Sequence, residues 1–386
     1  KWQPAGAKTD DLQLEVVDLA NRAARSRFVE MPHPLYDGDP NYVAPLKIAA
    51  MKALDPVKCP TYQHVKMRAV IAHRGGRPVG RMTAQFDTIY NEYHETKAGW
   101  IGHFESIDDA SVAHALFDDG IQWLKDQGME EVFGPANPTM NYQSGLLVEN
   151  FDRPPFIDNL YNPRYYQALF ESYGFAKAKD LLCWWVDSTE GMDTKKRQRI
   201  VRIAERIKKR EGITIRSASI KDADAEIERI HQLFNGAWQK NWGNCPVPKH
   251  EFIELAQDLK QVVIEDLLIF VMVDDRVVGF CLTVPNIVEK MPRNGHLFPF
   301  GWTKLVFGLK KTKYLRLYLL GTLPEYRKRG LESIMFAETL LRAKRLGYTG
   351  GEVGWTLEDN DLVNRAIESM EGHIDRRYRI YGIDLK

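Results

Sequence analysis

The sequence predicts an α/β protein of two tandem halves, each a mixed central sheet flanked by helices. Three observations predict it. A hairpin pattern occurs twice: residues 70–87 read VIAHRGGRPVGRMTAQFD and residues 270–285 read FVMVDDRVVGFCLTVP. The first pair of β-rich runs turns on Gly75-Gly76 and the second on the polar Asp274-Asp275-Arg276, and a Val-Gly pair opens each second run. The same order of elements follows both hairpins. Finally, 386 residues with 44% hydrophobic and 11% aromatic content can fill more than one core.

In the first half the hairpin leads to a strand near 97–105 and a helix near 110–127. Val112, Leu116, Ile121 and Leu124 fall on one side of that helix. A short strand at 131–134, a helix near 163–173 and a last strand at 181–187 close the unit. In the second half a strand at 315–320, a helix near 330–346, a strand at 352–356, a helix near 360–370 and a strand at 378–384 repeat the order. The polar stretch 188–195 (STEGMDTK) marks the boundary. Beyond it KKRQRIVRIAERIKKR puts Ile200, Ile203, Ala204 and Ile207 at helical spacing among basic residues. The expected division is 1–187, a solvated basic linker helix over 188–212, and 213–386. Contact of that helix with RNA or anionic lipid is the alternative use.

Charge and cysteine content exclude several classes. Lys plus Arg is 53 and Asp plus Glu is 52, which argues against a nucleic-acid coat. Cys59, Cys183, Cys245 and Cys281 lie far apart, without a CxxC pair, so neither a disulfide scaffold nor a metal site is expected. Neither the first residues, KWQPAGAKTDDLQ, nor any later stretch has the apolar run of a leader or a spanning helix. A soluble, cytoplasmic protein is the expectation.

The most specific chemistry lies at residues 321–333, GTLPEYRKRGLES. A strand ends, Pro324 breaks the ladder, and Arg327-x-x-Gly330 opens a helix. This order gathers free backbone N–H groups and the positive end of a helix dipole at one point, suited to a pyrophosphate. Gly330 allows close approach, and Arg327, Lys328 and Arg329 add charge.

This turn resembles the motif of the GNAT superfamily of acyl-CoA N-acyltransferases, V-x-P-x-x-R-x-x-G-x-G/A. The likeness covers the second half well, and the whole chain resembles larger bacterial proteins with two GNAT-like halves. It implies a direct N-acyltransferase, with acetyl-CoA or a longer acyl-CoA as co-substrate; acetyl transfer is the first expectation. It implies that backbone from Lys328 through Arg329, Gly330, Leu331 and Glu332 to Ser333 binds the CoA pyrophosphate. Backbone at Thr322 and Leu323 would meet the pantetheine arm. The family's Asn after the fifth strand falls on Asn360 or Asn364. Glu332 departs from the family's Gly or Ala and sets a carboxylate beside the expected phosphates. The family's catalytic Tyr falls at Ile367, so none carries over. The first half has an acidic turn, Glu105 to Ala110, in place of Arg-x-x-Gly, and is expected not to bind CoA.

Direct transfer needs a neutral amine, a polarised carbonyl and a route for one proton. Glu358, at the end of the fifth strand, is the candidate base and Tyr326 the weaker candidate acid. Cys281 lies in an apolar strand and reads as a buried, inert thiol. The family's acceptor loop falls at 235–245, where Trp238 and Trp242 line a pocket or join the core. Asn137, Asn141 and Gln143 satisfy loop backbone or face a cleft. Residues 291–313, MPRNGHLFPFGWTKLVFGLKKTK, combine aromatics with lysines over a length far beyond a tight turn. That composition suits peripheral contact with a membrane, at the inner face, with a flap on the first half or a homodimer contact as alternatives. The acceptor is accordingly a small-molecule or a lipid amine, the latter in the manner of ceramide-type acyltransferases that resemble this superfamily. An aminoacyl-tRNA-dependent transferase and a non-catalytic acyl-CoA-binding module are the rival readings.

Overall fold

The structure, a computed structural model, describes residues 11–188, 194–238 and 241–386. The first ten residues, positions 189–193 of the expected boundary, and Gln239 and Lys240 of the 235–245 stretch lie outside them.

In chain order the strands and helices begin with β1 (Leu12–Val16), α1 (Arg22–Glu30), α2 (Lys47–Ala53), β2 (Val65–Arg74), β3 (Arg77–Asp87), α3 (Thr88–His94) and β4 (Ala98–Ser106). There follow α4 (Ala110–Asp126), β5 (Glu131–Gly134), β6 (Ala136–Asn137), β7 (Gln143–Ser144), β8 (Leu146–Glu149), α5 (Tyr166–Tyr173) and β9 (Ala176–Asp187). The second series is α6 (Lys195–Arg210), β10 (Ile213–Ser217), α7 (Ala223–Ala237), α8 (Lys249–Leu259), β11 (Leu268–Val273), β12 (Arg276–Pro285) and α9 (Gly301–Gly308). It ends with β13 (Tyr314–Thr322), α10 (Leu331–Arg345), β14 (Gly350–Leu357), α11 (Asp361–Ser369) and β15 (His373–Asp384).

The chain divides into two compact units, and the division corrects the expected one. The first comprises Lys1–Asp180, Met291–Leu305 and Arg377–Lys386; the second comprises Leu181–Lys290 and Val306–Arg376. The two terminal strands of the halves are exchanged. Leu181 to Asp187 pair with β14 in the second unit, whereas Tyr381 to Asp384 pair with β5 in the first. The basic helix is corrected too. α6 lays Ala204, Ile200, Val201 and Ile207 on the second unit's core, and Arg197 is buried, donating to Met370 O at 2.9 Å and Asp187 O at 2.6 Å. It is a packed element of the second unit and not a solvated bridge.

Each unit follows from its own local chemistry. The β2–β3 hairpin turns on Gly75 (φ 55°) and Gly76 (φ 75°), and β11–β12 turns on Asp274 (φ 47°) and Asp275 (φ 61°). Positive φ at both central residues matches the right-handed twist of the strands. In the first unit α4 buries Val112, Leu116, Ile121 and Leu124 against β3, and a Cβ at Gly120 would strike Met82. In the second, α10 buries Ile334, Met335, Ala337 and Leu340 over β12 and β13. Both units use antiparallel strands up to a fourth that runs parallel to a fifth, and the two sites to compare sit where those parallel strands part.

Candidate active site

In the second unit β13 and β14 pair in parallel from Tyr314↔Gly350 to Leu317↔Val353, then separate. The separation coincides with a bulge: Leu282 faces Leu319 and Thr283 faces Leu317, which leaves Tyr318 unmatched on β13. Beyond it the ladder with β12 alternates. Leu323 donates its N–H to Val278 O at 2.9 Å, so Gly321 and Leu319 share that direction. Leu320 and Thr322 therefore present N–H and C=O to the gap left by β14. The expectation for Leu323 is corrected here, because its amide is spent on β12.

The turn beyond the fork builds an anion site. Gly330 is the N-cap of α10 with φ 81° and no side chain caps the helix, so its first-turn N–H groups are not met by a capping side chain. The positive φ favours glycine at this position, and a Cβ there would meet only the movable Cδ1 of Ile207, at 2.9 Å. Lys328, at φ 62°, turns the chain into the helix. Arg329 lies 5.0 Å from the Tyr326 ring centroid and Arg276 lies 5.8 Å from it. Tyr326 also packs on the α10 core, which makes it part of the turn's framework. Arg327 is held differently: its guanidinium donates to Ala237 O at the end of α7, and it braces the turn. Thr322 Oγ1 is buried without a hydrogen-bond partner, on the side of α10 where a Cβ at Gly279 would approach both it and Met335. Glu332 is 6% exposed, in the first turn, and forms no ion pair among the described residues. Leu331 is buried in the core and Ser333 is half-buried on the same turn.

On the other side of the fork the two asparagines separate in role. Asn364 is buried: its Oδ1 accepts from Thr356 Oγ1 at 2.7 Å and its Nδ2 donates to Leu357 O at 3.0 Å and Glu358 O at 3.3 Å. It clips β14 to α11 and has no side-chain N–H left for a pantetheine, which corrects its candidacy. Asn360, half-buried at the start of α11, makes no side-chain hydrogen bond among the described residues. Glu358 follows directly on the end of β14, half-buried.

Two features went unread in the sequence. Arg316 and Glu352 are register partners, both buried, with Nε to Oε1 at 3.6 Å, and Arg316 also donates to Gly354 O at 3.1–3.2 Å. This ion pair sits at the base of the fork. The signal was present: one charge inside each apolar run, YLRLYLL and GGEVGW. The second feature is an apolar cavity of ≈ 60 Å³. Leu317 and Val353, the last pair before the strands part, line it with Leu315, Phe336, Leu340 and Met370. Trp238 is half-buried and packs on Phe234 and Phe280. Cys281 is buried between Thr283 and Thr339, and burial pushes its thiol up to about 11.

The corresponding fork of the first unit is filled by the chain itself. β4 and β5 pair from Ala98↔Glu131 to Trp100↔Phe133 and then part. Into the gap comes the β6–β7 hairpin. Asn137 Oδ1 accepts from His103 N at 2.6 Å, and Gln85 Nε2 donates to Ala136 O at 2.8 Å and Pro138 O at 3.0 Å. The fit depends on Gly102, where a Cβ would lie 2.1 Å from Ala136 O. The helix terminus is filled as well. Asp109 caps α4, accepting from Ser111 N at 2.8 Å, and pairs with Arg74 at 2.7 Å. Hydrogen bonds from Ser111 and then Arg74 hold its carboxyl down to about 2. Glu105 is engaged by Tyr36 at 2.7 Å and Tyr166 at 2.8 Å, with Arg81 at 3.7 Å.

Solved structures share this plan. A tandem GNAT protein from the clavulanic acid biosynthesis pathway aligns at TM-score 0.58 and 9% identity, covering 97% of this chain and 99% of its own. A GCN5-related N-acetyltransferase from Sphaerobacter thermophilus aligns at TM-score 0.50 and 12% identity over 98% and 97% of the two chains. At such identities the likeness is one of fold, and the fold is the tandem GNAT fold expected from the phosphate turn. No family model matches the chain. Two curated proteins do match along nearly its whole length. Protein YghO of Escherichia coli is 33% identical over 369 residues, 94% of this chain and 93% of that protein. The bacterial ceramide synthase of Caulobacter vibrioides is 33% identical over 381 residues, 95% of this chain and 97% of that one. The chain belongs to the family of these two proteins and has the tandem GNAT fold.

Proposed function

We propose that the second unit transfers a long acyl group from CoA to the amine of a long-chain acceptor, forming an amide of the ceramide type. The observation that carries the choice of a long chain is the apolar cavity directly beneath the β13–β14 fork. A space of that size takes a few methylene groups beyond an acetyl, and Leu317 and Val353, the last paired residues before the strands part, line it. The name of the Caulobacter relative supports the same reading.

In this reading the uncapped start of α10 takes the CoA pyrophosphate, with Lys328 and Arg329 adding charge. The amides of Leu320 and Thr322 pair with the pantetheine arm and polarise the thioester carbonyl, and Asn360 supplies a side-chain amide from the opposite strand. The neutral amine attacks the carbonyl carbon, the C–S bond breaks, and CoA leaves as the thiolate. The nitrogen's excess proton goes to Glu358 and on to water, and water protonates the thiolate.

The test is incubation of the full chain with hexadecanoyl-CoA and a long-chain 2-amino alcohol. The reading expects stoichiometric free thiol and N-acyl product by mass spectrometry, with slower turnover of acetyl-CoA. Acyl-CoA binding without thiol release makes the protein an acyl-CoA-binding module. Faster turnover of acetyl-CoA than of the long chain removes the assignment of the cavity.

A further inference from the structure

The segment between β12 and β13 presents a surface that the acyl-transfer chemistry does not use. Phe298 is 80% exposed, Phe300 76%, Trp302 43% and Phe307 70%. No other Phe or Trp among the described residues stands among the exposed large apolar side chains. All four fall within ten consecutive positions, at the turn into α9 and along it. Val306, one helical turn after Trp302, is 58% exposed. Residues 291–313 contain Arg293, Lys304, Lys310, Lys311 and Lys313 and neither Asp nor Glu. The four lysines are exposed.

The aromatic tip stands on a fixed base. Ala44 N donates to Arg293 O at 2.9 Å and Lys47 N to Gly295 O at 3.0 Å, while His296 lies 3.4 Å from Glu30. Any Cβ at Gly295 would strike Pro45 O, so the base is closely packed. Within the tip Trp302 N bonds Leu297 O at 2.8 Å and Trp302 Nε1 bonds Pro299 O at 3.1 Å. The exposure of the three phenylalanines therefore belongs to an ordered, hydrogen-bonded turn and helix. Leaving them in water is unfavourable, and isolated monomers rarely keep such a cluster uncovered.

We infer that α9 and the turn before it dock on an anionic lipid bilayer. Phe298, Phe300, Trp302 and Phe307 enter the headgroup–acyl boundary, and Lys304, Lys310 and Lys311 meet lipid phosphates. The charge selects this occupant: a segment that carries five basic residues and no carboxylate of its own complements an anionic surface, whereas a second copy of it would bring like charges together. The proposal rests on this segment alone and stands or falls independently of the acyl donor.

Flotation of the full chain with phosphatidylcholine vesicles containing about 30 mol% phosphatidylglycerol tests it. The chain is expected to float with these vesicles and to remain in solution with pure phosphatidylcholine. The variant F298A/F300A/F307A should lose at least about tenfold in partitioning with unchanged circular dichroism and unchanged CoA affinity. The variant K304Q/K310Q/K311Q should lose its preference for anionic vesicles. Equal flotation of the phenylalanine variant, or no flotation of the wild-type chain, would overturn the proposal. A wild-type dimer that dissociates on the phenylalanine substitutions, without vesicle binding, would assign the face to self-association instead.

Discussion

The two forks of this chain begin alike and end differently. In each, a fourth and a fifth strand run parallel for three or four pairs, a bulge interrupts the neighbouring ladder, and the strands part. The first unit closes its gap with Ala136 and Asn137 and caps its helix with Asp109. The second leaves Leu320 and Thr322 facing the gap, begins its helix on Gly330 without a cap, and keeps a cavity below. The difference teaches how a duplicated architecture specialises. Every polar group that one unit satisfies internally is a group the other can offer to a substrate.

The largest expected effect concerns the chemistry proposed for the open fork. Glu358→Gln should lower kcat by about a hundredfold or more while leaving acyl-CoA affinity unchanged, because it removes a proton acceptor and no binding group. Single-turnover kinetics beside calorimetry check this; equal losses in both would make Glu358 a binding or structural residue. Next comes the plug. Gly102→Val forces a side chain into Ala136 O and should destabilise the first unit by about 2–4 kcal/mol in urea unfolding, with no new CoA site created. A gain of a second binding site would mean that the first fork is blocked by this contact alone. Smaller again is Glu332→Gln. Removing a buried negative charge from the first turn of α10 should tighten CoA binding by about threefold. Weaker binding would show that the carboxylate helps hold the turn.

A pH dependence is expected at the plugged fork. Burial first, and then the charge of Arg81, lowers the His103 imidazole to about 3. The folded state thus holds His103 neutral while the unfolded chain protonates it below about 6.5. Its contribution to stability is complete above that pH and is lost as pH falls from about 6.5 towards 3, at no more than about 1.4 kcal/mol per unit. Burial raises Glu105 and contributes in the opposite sense, so the informative quantity is the difference between wild type and His103→Asn. Asn tolerates the positive φ of 45° at this position. Parallel stability curves from pH 4 to about 7 would remove His103 from the acid response.

What could be read from the sequence was local. The hairpins, α4, α10 and the strands around the phosphate turn were legible because Gly, Asp and Pro at fixed offsets restrict φ, and because one-sided apolar spacing marks a buried face. The turn at Pro324 to Gly330 was legible for the same reason. What escaped depended on pairings between distant residues. Nothing near Leu181 or Tyr381 announces that the two closing strands are exchanged, since neither LLCWWV nor YRIYGID specifies which sheet it joins. Asn137 in the fork, Asn364 clipping Thr356 and Arg327 bracing Ala237 look the same in sequence as amides and guanidinium groups free to bind a ligand. Arg316 and Glu352 could have been noticed as charges inside apolar strands, but only the parallel register makes them partners.

The central claim is that one fork of the two binds acyl-CoA. Calorimetric titration of the full chain with hexadecanoyl-CoA tests it most directly, alongside the charge-reversed turn Lys328→Glu/Arg329→Glu. The account predicts one site per chain and a loss of affinity of about a hundredfold in the variant, with its thermal unfolding retained. Two sites per chain, or undiminished binding by the variant, would contradict it.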